Sequence, residues 1–308
     1  MKLYKVIALA TIATSLLTGC ATTSGSAAKN SGVEKKQNPD KAFIDSLSNT
    51  VIKVTAYPAK QTNVNKKFSS DYSLSVCDKS GQPLANFVIT AEYPASKTDG
   101  VINFEKQNIT TDETGKAVFT PQIPSFAADT NVYFYSATDS TNEDTINAAK
   151  QAGAQAAWKV RSDIVTKGAI LFIWDYNEKG KPVNNSYEIL SEFRTRGMTM
   201  TGNAPVNEKA YIGKPLNWLY KQNHEIVENS YGYLIVGTIK YVKPVEQVED
   251  GWFCSLTADI SVADMKNGTQ VFTGTFTNEV TGANWSKATG KCKEELAKKI
   301  VDAIIYGL

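Results

Sequence analysis

The sequence predicts an α+β chain of several domains, an N-terminal β-sandwich followed by a C-terminal α/β sandwich in which helices cover a mixed sheet. Three observations carry this. Residues 50–136 break into short stretches rich in β-branched and aromatic residues, parted by turn residues. From residue 160 onward, strand-like apolar runs alternate with amphipathic helical stretches. Ahead of both, residues 1–45 hold one short apolar run and then a polar segment that lacks a core.

Lys2 and Lys5 give the chain a positive start, and residues 6–17 are apolar but too short to cross a membrane as a helix of about 20 residues. This is a signal-peptide layout. The run closes on Leu17-Thr18-Gly19-Cys20, which resembles the lipobox of bacterial lipoproteins. That resemblance implies removal of residues 1–19 and acylation of Cys20, whose acyl chains would hold the protein on a lipid bilayer. It implies a bacterial cell envelope location, lipid-anchored. Ala21 stands where enteric lipoproteins held at the inner membrane carry Asp, which favours the outer membrane. Residues 20–45, beginning with the lipidated cysteine, read as a flexible tether because they lack aromatic or periodic apolar content over most of their length.

Lysine and arginine total 33 against 31 acidic residues, spread along the chain without a basic stripe. Nucleic acid is therefore not an expected partner. No second apolar run reaches spanning length.

Residues 46–138 form the first expected domain. "TVIKVTAYP", "DYSLSVCD", "LANFVITAEYP", "GKAVFTP" and "NVYFYSA" read as strands, with Lys79-Ser80-Gly81 and Glu113-Thr114-Gly115 as turns. The pairing of "SVCDKSGQPLANFVITAEYP" with "ITTDETGKAVFTPQIP", through Gly81, Pro83, Asp112 and Gly115, resembles the bacterial immunoglobulin-like repeats of the invasin and intimin type. Such modules imply a spacer, an adhesive surface or a docking site, and bring no catalytic residue.

A polar break at residues 139–145, with Ser140 and Asn142 as cap candidates, precedes an alanine-rich stretch read as a connecting helix over residues 139–159. Residues 160–308 then read strand, helix, helix, three strands, helix. "GAILFIWDYN" is a continuous apolar run, as for a strand covered on both faces. "SYEILSEFRTRG" is a helix through Tyr187, Leu190 and Phe193 that ends at Gly197, and "PLNWLYKQNHEIVENS" is a second helix. "WFCSLTADISVAD" and "TQVFTGTFTNEV" flank Lys266-Asn267-Gly268, a hairpin signal. This order, with "YGYLIVGTI" and the closing alanine-lysine helix, resembles the envelope α/β domain of curli-secretion lipoproteins, lipoprotein activators of penicillin-binding proteins and the N-terminal domain of the Tol translocation protein. Those relatives imply binding and assembly roles.

Candidate chemistry is sparse. His224 is the single histidine and lies among Gln222, Asn223 and Glu225, reading as a solvated side chain. No C-x-x-C pair exists, and Asp99, Asp112 and Glu113 lack the alternating spacing of a calcium loop, so no metal is expected. Gly197 and Gly202 have phosphate-loop spacing, but Asn203 and Ala204 stand where Lys and Ser or Thr are required. No cofactor is expected. Cys254 alternates in phase with Leu256, Ala258 and Ile260, and Cys292 shares a helical stripe with Leu296 and Ile300, so both point into one core as a candidate disulfide pair or as two packed thiols. Cys77 has no evident partner. Tyr133 and Tyr135 on one strand, and Trp218 and Tyr220 on the second helix, are candidate partner contacts or ordinary half-buried aromatics. The expectation is a membrane-anchored, non-enzymatic adaptor or scaffold binding an envelope protein. The alternatives are a self-assembling structural or secretion-channel-type lipoprotein and a surface-exposed adhesin, and an oligomer stays open.

Overall fold

The computed structural model describes residues 39–308. The signal segment 1–19, Cys20 and residues 21–38 lie outside the described residues. The tether expected to reach residue 45 ends earlier, because Pro39–Leu47 form helix α1. Phe43 and Leu47, one helical turn apart, pack with Tyr135 and Ala149, which offsets the entropy of ordering this turn.

Strands β1 (Thr50–Ala56), β2 (Thr62–Asn63), β3 (Tyr72–Asp78), β4 (Val88–Thr98), β5 (Val101–Thr110), β6 (Lys116–Phe119) and β7 (Ala128–Ser136) follow, then helix α2 (Glu143–Ala152) and strand β8 (Ala154–Arg161). They build a three-stranded sheet, β1-β3-β6, and a five-stranded sheet, β2-β8-β7-β4-β5. One core lies between the two sheets, centred on Tyr72, Phe119, Phe134 and Trp158. The turns are made as their residue types require. Asp78 Oδ1 accepts from the Ser80 and Gln82 amides at 2.8 and 2.9 Å, and Asp112 Oδ1 repeats this with Thr114 and Lys116. Gly115, at φ +71°, has the Val76 carbonyl 2.4 Å from where a Cβ would sit.

The connecting helix expected over residues 139–159 is shorter. Asn142 caps it by accepting from the Asp144 amide, and it stops at Gly153, whose extended backbone passes so close to Phe134 that a Cβ would lie 2.3 Å from its carbonyl oxygen. Beyond that glycine the period changes from helical to two, with Ala156, Trp158 and Val160 buried in alternation, and the chain joins β7 as β8. The alanines favour helix locally. Burial of Trp158 and Val160 decides otherwise.

The remainder comprises α3 (Ile164–Lys167), β9 (Ala169–Tyr176), β10 (Pro182–Asn185), α4 (Tyr187–Thr195), β11 (Thr201–Asn203), α5 (Leu216–Val227), β12 (Tyr233–Tyr241), β13 (Glu246–Val248), β14 (Gly251–Asp264), β15 (Gln270–Gly282) and α6 (Trp285–Gly307). The sheet runs β10-β9-β12-β14-β13, with β11 beside β9 and β15 beside β14. β9 and β12 are parallel, and β12, β14 and β15 are antiparallel in turn. Helices α4 and α6 cover one face, burying Phe193, Leu296 and Ile300 with Leu171, Ile235 and Leu256. Helix α5 covers part of the other through Leu219 against Phe172 and Leu234. The short strands β10, β11 and β13 have no sequence signal of their own; each is held by a longer neighbour.

Gly197 ends α4 at φ +86°, and the Met198 amide reaches back to the Phe193 carbonyl at 3.0 Å. Gly268, at φ +74° in the β14–β15 turn, has the Tyr220 ring 2.5 Å from where a Cβ would sit, so conformation and space both demand glycine. Gly268→Ala is expected to lower stability by about 1–3 kcal/mol, displacing Tyr220 with it. Chemical denaturation checks this, and a variant as stable as the parent contradicts it.

Candidate functional site

The strongest concentration of buried charge lies where β9 ends beneath α6. Register places Asp175 on the same face as Ala169, Leu171 and Ile173, beneath the helices, with 0% exposure. Its Oδ2 accepts from Lys293 Nζ at 2.6 Å, and the Ser186 hydroxyl lies beside the carboxylate as a weaker second donor. The Ser186 and Thr289 hydroxyls are buried in the same layer, Ser186 beside Asp175 and Thr289 beside Tyr241 and Cys254. Burial pushes the Asp175 carboxyl above its ordinary value despite the opposing Lys293 charge. Burial pulls the Lys293 ammonium down, but the Asp175 charge outweighs it, and the net displacement is upward. Beside this pair, Glu178 accepts from Trp285 Nε1 at 2.9 Å and from the Val245 amide at 3.1 Å. The cluster braces the start of α6 against the ends of β9 and β12.

Cys254 and Cys292 lie in the same layer, both at 0% exposure and both free thiols. Cys292 Sγ approaches the Cys254 carbonyl at 3.6 Å and donates to the Asn278 carbonyl at 3.3 Å. The neighbouring Cys292 sulfur and burial together push the Cys254 thiol up. Cys77 is half-buried near the β1–β3 pairing and forms no disulfide.

Of the two readings of the tyrosine strand, contact surface or half-buried aromatics, the observed burial fits the second. Tyr135 is buried under α1 and α2, where its hydroxyl donates to Glu92 Oε2 at 2.6 Å while Lys150 contacts Oε1 at 2.6 Å. Tyr135 is thus an internal anchor, and Tyr133 is half-buried beside it with Lys150 over its ring at 5.9 Å. Helix α1, formed by residues read as tether, and helix α2 cover this face. Trp218 and Tyr220 remain partly exposed on α5. Trp218 packs on Tyr211 at 5.0 Å, with Lys214 5.7 Å from its ring. Tyr220 stacks on His224 at 5.2 Å, and the His224 Nδ1 is buried, so this histidine is a packed side chain rather than a solvated one. Buried Asn223 ties α5 to the preceding loop by accepting from the Val206 amide at 2.9 Å.

Two grooves flank α5. One, of about 490 Å³, lies at the start of β12 and is lined by Thr166, Lys167, Tyr231, Asp264 and Lys266. The other, of about 250 Å³, runs over the sheet beside Lys214 and is lined by Ile212, Thr238, Asp259, Ser261 and Thr275. Both are open and mixed in polarity. Among the described residues no group of three or more His, Cys, Asp and Glu side chains converges as metal ligands.

Asp175, Lys293 and Asn223 are the residues that sequence reasoning missed. Asp175 had a visible signal, a carboxylate closing an uninterrupted apolar run, and Lys293 lies four residues after Thr289 and three before Leu296 on the buried side of α6.

Residues 168–305 match the family model described as "TP0693-like lipoprotein, C-terminal domain". With the Leu17-Thr18-Gly19-Cys20 motif, the match supports a lipid-anchored lipoprotein of the bacterial envelope. No curated protein matches the chain. Among solved structures, the PelC dodecamer from Paraburkholderia phytofirmans is similar at 18% identity, over 44% of this chain and 85% of that one, with a TM-score of 0.29. The hypothetical protein CT253 from Chlamydia trachomatis is similar at 12% identity over 45% and 97%, TM-score 0.30. Lipoprotein GNA1162 from Neisseria meningitidis is similar at 16% identity over 44% and 97%, TM-score 0.23. Likeness at these scores fixes neither the fold nor the role of this chain.

Lys293→Met leaves Asp175 buried without its counter-charge, at an expected cost of about 3–5 kcal/mol at neutral pH. Because the folded state then holds the Asp175 proton more tightly than the unfolded chain, this loss shrinks as pH falls toward the raised pKa and grows as pH rises through it. Denaturant titrations at about pH 8 and about pH 5 read the difference, and an equal deficit at both contradicts the pairing. In thiol labelling of the native reduced protein, Cys77 is expected to react first and Cys254 and Cys292 only on unfolding. Native labelling of the latter two at the Cys77 rate counts against their burial.

Proposed function

We propose that this chain is a membrane-anchored adaptor that binds an envelope protein and turns over no substrate. In this reading the acylated Cys20 holds it to a membrane, with the outer membrane favoured by Ala21. The two-sheet body of residues 50–161 serves as an immunoglobulin-like spacer, a role supported by its two sheets, antiparallel apart from the short parallel β2–β8 pair, sharing one aromatic core. The sheet and helices from residue 164 onward supply the binding surface.

One observation carries the adaptor reading: the deeply buried ionisable groups engage one another inside the packing and face no groove. Asp175 pairs with Lys293, Glu92 with Tyr135 and Lys150, and Cys254 with Cys292. On the outer face of α5, Trp218 and Tyr220 are partly exposed and Ile226 is 60% exposed. Surfaces of this composition suit protein contacts.

Cys20→Ala is expected to move the protein from the membrane pellet to the soluble fraction, and retention after a high-salt wash contradicts the anchor. For the partner, a photo-reactive residue at position 218 or 220 is expected to give one discrete heavier adduct in cells, and the same probe at position 135 none. Hydrolysis of an envelope substrate by the intact protein, abolished by Asp175→Asn without loss of fold, would overturn the non-enzymatic reading.

A further inference from the structure

We infer that the edge of β15 is the docking surface for a second copy of this chain, the two strands pairing antiparallel about a two-fold axis through Gly274. This goes beyond the adaptor reading and does not depend on it. Among the described residues β15 pairs with β14 alone, along nearly its whole length. Its free side can be identified from the ladder. The Ser255 carbonyl accepts from the Val242 amide, so Ser255 turns toward β12 and Leu256 toward β15. Leu256 pairs with Asn278, and alternation then turns Asn278, Phe276, Gly274 and Phe272 toward β14. Thr273, Thr275 and Thr277 therefore present their N–H and C=O groups outward. The Thr277 carbonyl accordingly accepts from Lys299 Nζ, at 3.1 Å, rather than from the ladder.

The residues along this edge are symmetric about Gly274. Val271-Phe272-Thr273-Gly274-Thr275-Phe276-Thr277 reads nearly the same in both directions. Antiparallel pairing centred on Gly274 sets Thr273 of each copy opposite Thr275 of the other, and Phe272 opposite Phe276. The Thr273 and Thr275 positions both present outward backbone groups, so they form hydrogen-bonded pairs. Gly274 then meets itself at a non-hydrogen-bonded position, where Cα atoms approach to about 4.5 Å. On the α6 side the Phe272 and Phe276 rings, 6.4 Å apart and 13° from parallel, flank Gly274, where a Cβ would lie 3.1 Å from the Phe276 ring. Pairing sets each Phe272 opposite the Phe276 of the other copy, giving two cross-strand aromatic pairs flanking the axis.

Charge gives the same answer. Residues 270–278 contain no charged residue and no proline, whereas exposed edges are ordinarily guarded by lysine, proline or a bulge. Here the register irregularity near Ala263 and the Lys299 contact stand at the two ends, and the middle is open. The first charge on the strand, Glu279, falls opposite Thr269 in this register, so like charges do not meet. A self-complementary edge of this kind generates a closed two-fold dimer.

The test uses the full chain in detergent, with protein mass read by light scattering. The parent is expected to give twice the chain mass. Thr275→Lys and, separately, Thr273→Lys place a solvent-facing charge beside the axis without entering either core, and each is expected to weaken association at least tenfold and halve the mass. Unchanged melting of either variant shows that the fold survives. A parent that is monomeric at about 100 µM, or a multimer whose mass neither substitution changes, overturns the inference.

Discussion

The C-terminal sheet depends on β9 being covered on both faces. Alternate residues of one strand enter two separate cores, Ala169, Leu171 and Ile173 under α4 and α6, and Ile170, Phe172 and Trp174 toward α5. Each buried side chain of this size contributes about 1.5–3 kcal/mol, but only when its own layer is in place. The connection from β9 to the parallel β12 is long enough to supply one helix to each face, α4 to the first and α5 to the second. The same alternation has a cost. Continuing it to the end of β9 carries Asp175 into the helical face, where Lys293 must meet it.

Helix α6 then links the two bodies. Its last turn offers carbonyls that the helix leaves unpaired, and the first body supplies the donors. The Ser162 amide donates to the Ile305 carbonyl at 2.8 Å, and Lys97 Nζ reaches the Gly307 and Tyr306 carbonyls at 2.9 and 3.4 Å. A cation at a helix C-terminus is favourably placed. One turn back, Asp302 holds Arg196 at 2.5 Å, and Arg161 donates to the Arg196 carbonyl at 3.2 Å. These contacts are polar, and the apolar clusters of the two bodies remain distinct. Apolar burial holds each body together; hydrogen bonds set one against the other.

Elements whose residues carry their own local pattern were legible in the sequence. The apolar run of β9, the stripe of Cys292, Leu296 and Ile300 on α6, and the Asn267-Gly268 turn each state their conformation within a few residues. What failed to show was decided by distant partners. Residues 154–161 carry helix-favouring alanines, yet Trp158 and Val160 gain more by joining the aromatic core beside Tyr72. Phe43 and Leu47 belong to a segment that reads as tether, and only α2 and Tyr135 give them a surface. The face of Tyr135 looked open for the same reason. In the site, Cys254 and Cys292 could be placed in one core by periodicity, whereas the Asp175–Lys293 pair joins segments 118 residues apart and follows only once both elements are docked.

Two of the edge strands, β5 and β15, show how differently one chain treats its edges. β5 closes the five-stranded sheet and carries Glu105 and Lys106 in mid-strand, charges that disfavour pairing with a like strand. β15 carries threonines at the corresponding exposed positions and phenylalanines on the covered face, with glycine where the two rings need room. Threonine and phenylalanine suit a pleated, half-buried surface, and an unguarded edge of them is stable in solution only if something else limits its pairing. On β15 the limit is geometric. The uncharged stretch is short, and its only self-complementary register is centred on one residue, so pairing uses up the open edge and stops at two chains.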